Sequence, residues 1–260
     1  MRTFRVALTF LTVIPAGIKF FRGPDELARS ASFFPLVGLL LGFLTAAPAA
    51  LARDILPPGP LIVLVLAGFF FLTRGLHLDG LADTADGLVG GLQRERALAI
   101  MKDGPVGPMG AAVVVLVYLL KYAALSSADS SLLLMLILLM PVSGRWSMVL
   151  AGSAFGPARK DGLGSQFIQD LSWGRFALSS LVPLAVLSLV GWGNAALAGF
   201  LLSGMIAALA VSFLCALLSA RRLGGLTGDV LGAVNEIAET AFLLGALAGW
   251  GFWMIQGVPA

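Results

Sequence analysis

Residues 195–218 read AALAGFLLSGMIAALAVSFLCALL, with no charged side chain and only Ser203, Ser212 and Cys215 offering side-chain heteroatoms other than the Met205 thioether. A helix satisfies its own backbone hydrogen bonds and needs ~20 apolar residues to cross a bilayer, so this stretch is predicted to span one. Working outward, comparable runs fall at about 33–52, 59–76, 108–127, 131–151, 176–193 and 240–257. Gly191-Trp192-Gly193-Asn194 is expected to be a tight turn between two of them. The whole chain has the same character: 260 residues, 58% hydrophobic, 12% charged, with a mean hydropathy of +0.96. Soluble domains carry ~25% charged residues, so this chain has too little polar surface to coat a water-soluble globule. The expected fold class is all-α, a polytopic membrane helix bundle of about seven transmembrane helices, with residues 1–260 forming one integral membrane domain.

Cys215 is the single cysteine and lies in an apolar run, which excludes a disulfide framework and a cysteine-rich metal site. A net charge of +3 beside membrane spans is a matter of topology and carries no nucleic-acid reading. Met1–Ala16 has the basic start and short apolar run of a signal peptide, but Ile14-Pro15-Ala16-Gly17 is a poor cleavage site. An interfacial or re-entrant helix with Phe4, Leu8 and Leu11 on one face is expected there instead.

Lys and Arg concentrate on cytoplasmic loops. Arg2, Arg5, Lys19, Arg22 and Arg29 precede the first span, and Arg74, Arg94, Arg96 and Lys102 follow the second. With alternating spans Arg159, Lys160, Arg175, Arg221 and Arg222 join that side, leaving essentially Arg53 on the other. The amino terminus is therefore expected in the cytoplasm and the carboxyl terminus outside, in a cell (inner) membrane.

Two clusters hold six of the fourteen acids, both on that cytoplasmic side. In His77-Leu78-Asp79-Gly80-Leu81-Ala82-Asp83-Thr84-Ala85-Asp86-Gly87, a helix puts Asp79, Asp83 and Asp86 within one arc of roughly 60°. Like charges there repel unless a cation joins them. The second, Gly224-Gly225-Leu226-Thr227-Gly228-Asp229 with Asn235, Glu236 and Glu239, directly precedes the last span. Asp229, Glu236 and Glu239 share a helical face. Hard oxygen ligands at this density suit Mg²⁺ or Mn²⁺ rather than zinc. The competing reading of either acid alone is helix capping.

Several other residues carry weaker signals. Lys102-Asp103-Gly104-Pro105-Val106-Gly107-Pro108 places a cation and glycine-rich amides where phosphate oxygens could be met, or is a plain connection. Arg145, inside an apolar span, is expected to pair with a carboxylate, bind an anionic substrate or snorkel. Lys121 is expected to snorkel toward the outer face. Arg159-Lys160-Asp161 is either a topology-setting loop or a phosphate contact. His77, the single histidine, should point roughly opposite Asp79, in a structural or a substrate-contacting role.

With these residues in place the chain resembles the cobalamin synthase family, adenosylcobinamide-GDP ribazoletransferase. The resemblance rests on His77–Gly87, on Glu95–Gly107 (ERALAIMKDGPVG) and on Gly224–Glu239 (GGLTGDVLGAVNEIAE), supported by Phe10–Pro15 and Phe33–Gly38. It implies a late step of vitamin B12 assembly: α-ribazole or its 5′-phosphate is joined to adenosylcobinamide-GDP, with release of GMP and a requirement for Mg²⁺. The corrinoid would be a substrate held by the bundle and its cytoplasmic loops. On that footing Asp79, Asp83 and Asp86 are expected to hold Mg²⁺ and the donor diphosphate. Asp229, Glu236 and Glu239 are expected to complete the metal site or assist deprotonation, with Asp83, Asp86, Asp229 and Glu236 the catalytic set. His77, Lys102, Asp103, Arg145 and Asn235 are the expected substrate contacts. The bilayer is a partner, a homo-oligomer is compatible, and nucleic acid is not expected.

Two rivals remain open on sequence. A membrane CDP-alcohol phosphotransferase also uses an Asp-rich cytoplasmic site, although D-G-L-A-D-T-A-D-G lacks the arginine of that pattern. An ion-coupled transporter would place its carboxylates near the bilayer midplane in broken helices, whereas these clusters flank the expected spans.

Overall fold

The computed structural model describes residues 1–18, 22–90, 93–103, 105–160 and 162–255. Lys19, Gly104 and Asp161, singled out above, lie outside them. In chain order the described helices are α1 (Arg2–Leu11), α2 (Pro24–Ser30), α3 (Phe34–Ala52), α4 (Pro58–Thr73), α5 (Leu76–Gly90), α6 (Arg94–Asp103), α7 (Pro108–Ser127), α8 (Ser130–Ala154), α9 (Leu163–Gln169), α10 (Trp173–Ser179), α11 (Leu181–Gly193), α12 (Ala195–Leu223) and α13 (Gly228–Ile255), with a 3₁₀ turn at Ala31–Phe33. The one β contact among them is a bridge between Pro157 and Leu226.

Six helical segments are long and apolar enough to cross a bilayer, and α4 with α5 makes a bent pair that is a candidate seventh crossing. This agrees with the seven runs read from the sequence. α11 ends at Gly193, and Asn194 opens α12 by accepting a hydrogen bond from Leu197 N at 2.9 Å, as the expected tight turn requires. α1 is an amphipathic helix with Val6, Ala7, Leu8 and Leu11 buried. It is tied down where Arg2 pairs with Glu26 and where Phe10 meets Phe34 and Phe167.

α8 and α13 form the centre of the bundle, most of each being buried, while α10 and α11 show most of their surface outward. Gly38 and Gly42 of α3 lie against the α8 backbone at Pro141 and Leu138, where any added Cβ would collide. Small residues four apart let helices approach to backbone contact, which matters where lipid supplies no hydrophobic drive for helices to associate. Ser203 of α12 donates to the Gly245 carbonyl of α13 at 2.9 Å, a polar tie between the two longest helices.

One expected boundary is corrected. The last span was expected at about 240–257, with Asp229, Glu236 and Glu239 ahead of it. Instead α13 is one helix from Gly228, so Glu236 and Glu239 sit well inside the bundle. Hydropathy could not show this, because their burial depends on cations supplied by other helices.

Candidate active site

The site begins at the break after α4. Arg74 and Gly75 both take left-handed backbone angles, φ 57° and 64°, which stops α4 and turns α5 through 90°. α5 thus leaves the spanning direction and crosses the start of α13. The crossing is close: a Cβ on Gly80 would stand 2.7 Å from the Asp229 carbonyl oxygen, and one on Gly232 3.1 Å from that of His77. Backbone contact at this point brings Asp229 beside Asp79 and Asp83, two segments about 150 residues apart in sequence, as helix packing at glycine allows.

Asp79 is exposed, and Asp83 and Asp229 are half-buried. The seven ion pairs found among the described residues include none to these three. Burial first, then the charges of Asp79, Asp229 and Asp86, push Asp83 from the ordinary 3.8 up to about 6. No three of the acids among the described residues converge into a ready-made metal cage. Mg²⁺ does not need one: it keeps several waters and is commonly held by one or two carboxylates together with substrate phosphates. Solvent-reachable hard oxygens fit that ion; Asp79 and Asp83, which no cation among the described residues pairs, would hold it, with Asp229 beside them under the charge of Arg159.

The raised value at Asp83 has a stability consequence whose sign is the reverse of a salt-bridged acid. With the folded value above the unfolded one, the neutral form is favoured by folding, so stability is intact below about 4 and is lost as pH rises through about 6. In chelator-treated protein, Asp83→Asn is therefore expected to melt above the unsubstituted protein at about pH 8 and level with it at about pH 4. A melting difference equal at both values would show that this repulsion is absent.

Asp86 does something else. Its two oxygens accept from Gly107 N at 2.6 Å and Gly110 N at 2.8 Å, so a carboxylate of α5 caps the start of α7. The Gly107 amide, in the turn expected to meet phosphate, is thus taken by Asp86, and both Asp86 oxygens are engaged by this cap. Lys102 is exposed at the end of α6, and the side chain of Asp103 lies outside the described residues.

Glu236 and Glu239 do not face the acidic group either. Lys121 Nζ donates to both, at 2.6 Å each, and Arg145 pairs with Glu239. Asn235 Nδ2 donates to Glu239 at 3.0 Å and Glu236 at 3.2 Å, and His77 Nδ1 lies 3.3 Å from Arg145 Nη2. All six side chains are buried. Glu236 and Glu239, expected as metal ligands, and His77, Arg145 and Asn235, expected as substrate contacts, are joined here in one internal network. Lys121 does not snorkel, because two carboxylates reach it where lipid would not. For Arg145, pairing with a carboxylate is the alternative the structure selects.

Two arginines brace the mouth of the site. Arg94 donates to the carbonyls of Leu223 at 2.6 Å and Ala158 at 2.7 Å, and Arg159 to that of Leu98 at 2.6 Å. Leu226 N and Ala158 N exchange hydrogen bonds with Gly156 and Leu226 carbonyls, both 2.8 Å, strapping the segment after α8 to the start of α13. Arg159 is thereby held close enough for its charge to act on Asp229. Of the two readings open for Arg159 on sequence, topology-setting loop or phosphate contact, its place beside Asp229 is compatible with the second.

What the fold and site define is a polytopic helix bundle with carboxylates and arginines gathered where a re-directed helix crosses the start of the last one, an arrangement suited to catalysis on a charged substrate. The comparisons narrow this. A family model described as cobalamin-5-phosphate synthase matches residues 3–247, and the chain belongs to that family. It is 42% identical to the adenosylcobinamide-GDP ribazoletransferase of Syntrophobacter fumaroxidans, over 94% of this chain and 97% of that one. Proteins of the same name from Geotalea daltonii (39%, covering 95% and 98%) and Pseudomonas aeruginosa (40%, covering 94% and 97%) are also similar. No solved structure matches.

Proposed function

We propose that the protein joins adenosylcobinamide-GDP to α-ribazole or its 5′-phosphate, releasing GMP. The observation that carries this reading, beside family membership, is the meeting of Asp79, Asp83 and Asp229 at the α5–α13 crossing. A transfer from a diphosphate-linked donor needs its oxygens neutralised, the acceptor hydroxyl aligned and the leaving nucleotide phosphate stabilised. Mg²⁺ bound by the three aspartates would supply the charge neutralisation. Arg159, fixed by the strap beside Asp229, is placed to meet a phosphate oxygen, and exposed Lys102 is a second candidate. Asp83, which burial and three acidic neighbours crowd, is the member of the three that a bound cation relieves most.

Orientation belongs to the same proposal: the site faces the cytoplasm, in the inner membrane, with the amino terminus on that side. It is supported by the crowding of Arg94, Arg159 and the α1–α2 arginines at the site's end of the bundle. Membrane vesicles carrying the protein test both parts together. Inverted vesicles given both substrates and Mg²⁺ should release GMP, while right-side-out vesicles given the same impermeant donor should not. A CDP-alcohol turned over in place of the GDP-linked donor would instead favour the phosphotransferase reading.

A further inference from the structure

Inside the bundle Lys121, Arg145, Glu236 and Glu239 form a balanced set of two cations and two anions, 2%, 2%, 6% and 5% exposed. Buried charges are expensive even when paired, and an apolar face of equal volume would stabilise the bundle as well or better. What paired charges add is direction. Lys121 of α7 reaches both glutamates of α13, and Arg145 of α8 holds Glu239 while its other nitrogen faces His77 in the first turn of α5. A guanidinium only donates, so His77 Nδ1 accepts and the ring proton resides on Nε2. One arginine thus ties α13 to α5 at a point two residues from Asp79.

The geometry points to a positioning lock: we propose that Lys121, Arg145, Glu236 and Glu239, with His77 and Asn235, set the depth and rotation of α13 against α5, and so the spacing of Asp229 from Asp79 and Asp83. This rests on the reading of those three carboxylates as the reacting group. Glu236 lies seven residues along α13 from Asp229, about 10 Å and nearly two whole turns, so rotating one rotates the other by the same angle. The cavity between the charged groups, edged by Thr73, Tyr118, Lys121, Arg145, Glu236 and Glu239, has a volume of about 20 Å³. That is space for a water and not for a nucleotide or a ribazole. These charges act on one another, and through the helices on the site.

The test uses the purified full-length protein in lipid nanodiscs with both substrates. Lys121→Met and Glu236→Gln each leave an unbalanced charge, and each is expected to lower kcat by ~10²-fold, the loss that a displacement of about 1 Å brings. KM for donor and for Mg²⁺ should stay within about threefold, because no substrate contact is removed. The double variant Lys121→Met/Glu236→Gln removes one charge of each sign and should exceed both singles, returning to within about tenfold of the unsubstituted kcat. If Glu236 were a metal ligand, Glu236→Gln would raise the Mg²⁺ requirement and the double would be no better than that single; either result overturns the proposal. If the residues served packing alone, activity would follow the folded fraction seen by gel filtration and melting, and the double would not recover, which also overturns it. Should Lys121→Met fail to fold, a folded and active double still supports the lock and an unfolded double overturns it. Failure of the underlying reading shows separately, as full turnover by Asp83→Asn whatever the Lys121 variants do.

Discussion

Asp83→Asn is expected to cut turnover at limiting Mg²⁺ by on the order of 10²- to 10³-fold, the range seen when one charge-stabilising group is removed from a reacting centre. Asp83 is the member whose neighbours are all acidic: Asp79, Asp229 and Asp86 each push its proton affinity up. The amide keeps the volume and one oxygen but loses the charge, so the repulsion relaxes and the protein should fold at least as well. The defect should therefore appear in catalysis and in the Mg²⁺ requirement, with partial recovery as Mg²⁺ is raised. Full turnover by a well-folded Asp83→Asn at limiting Mg²⁺ would remove Asp83 from the site.

Gly80→Val carries the second large effect, and it acts through geometry. A Cβ at Gly80 would lie 2.7 Å from the Asp229 carbonyl and 3.0 Å from its Cα, both backbone atoms of a helix held along its length by α5, α8 and α12. No side chain can swing aside to make room. Forced separation of the two helices is expected to cost ~1–3 kcal/mol of stability, the usual range for overpacking. It should also cost ~10²-fold in turnover by moving Asp229 off its partners. Gly199→Val on α12, where nothing lies within 4 Å of an added Cβ, is the matched control and should leave turnover unchanged and melting no lower than that of the unsubstituted protein. Equal behaviour of the two variants would show that the α5–α13 contact does not set the site.

Much of the architecture was legible because it is written in runs. The apolar segments between Phe34 and Ile255, the amphipathic start with Leu8 and Leu11 and the turn at Asn194 all follow from local pattern, and apart from the early start of the last helix at Gly228 the spans lie close to where the pattern puts them. Asp79 and Asp83 were legible as one face of one helix, since a helical period relates them directly. Asp86 was placed on that face too, but its oxygens are taken by Gly107 and Gly110 amides across a loop that no period describes.

By itself, then, the sequence determined that this chain is a membrane helix bundle with its acids in two segments, because hydropathy and helical spacing are local properties. Only the tertiary structure decided which acids meet. Glu236 and Glu239 look like Asp229 in sequence, yet Lys121 and Arg145, 94 to 118 residues away, neutralise them inside the bundle. Asp229 alone reaches Asp79 and Asp83, because Gly80 and Gly232 let two backbones touch. A carboxylate's role is set by the charges within a few ångströms of it, and those neighbours come from packing.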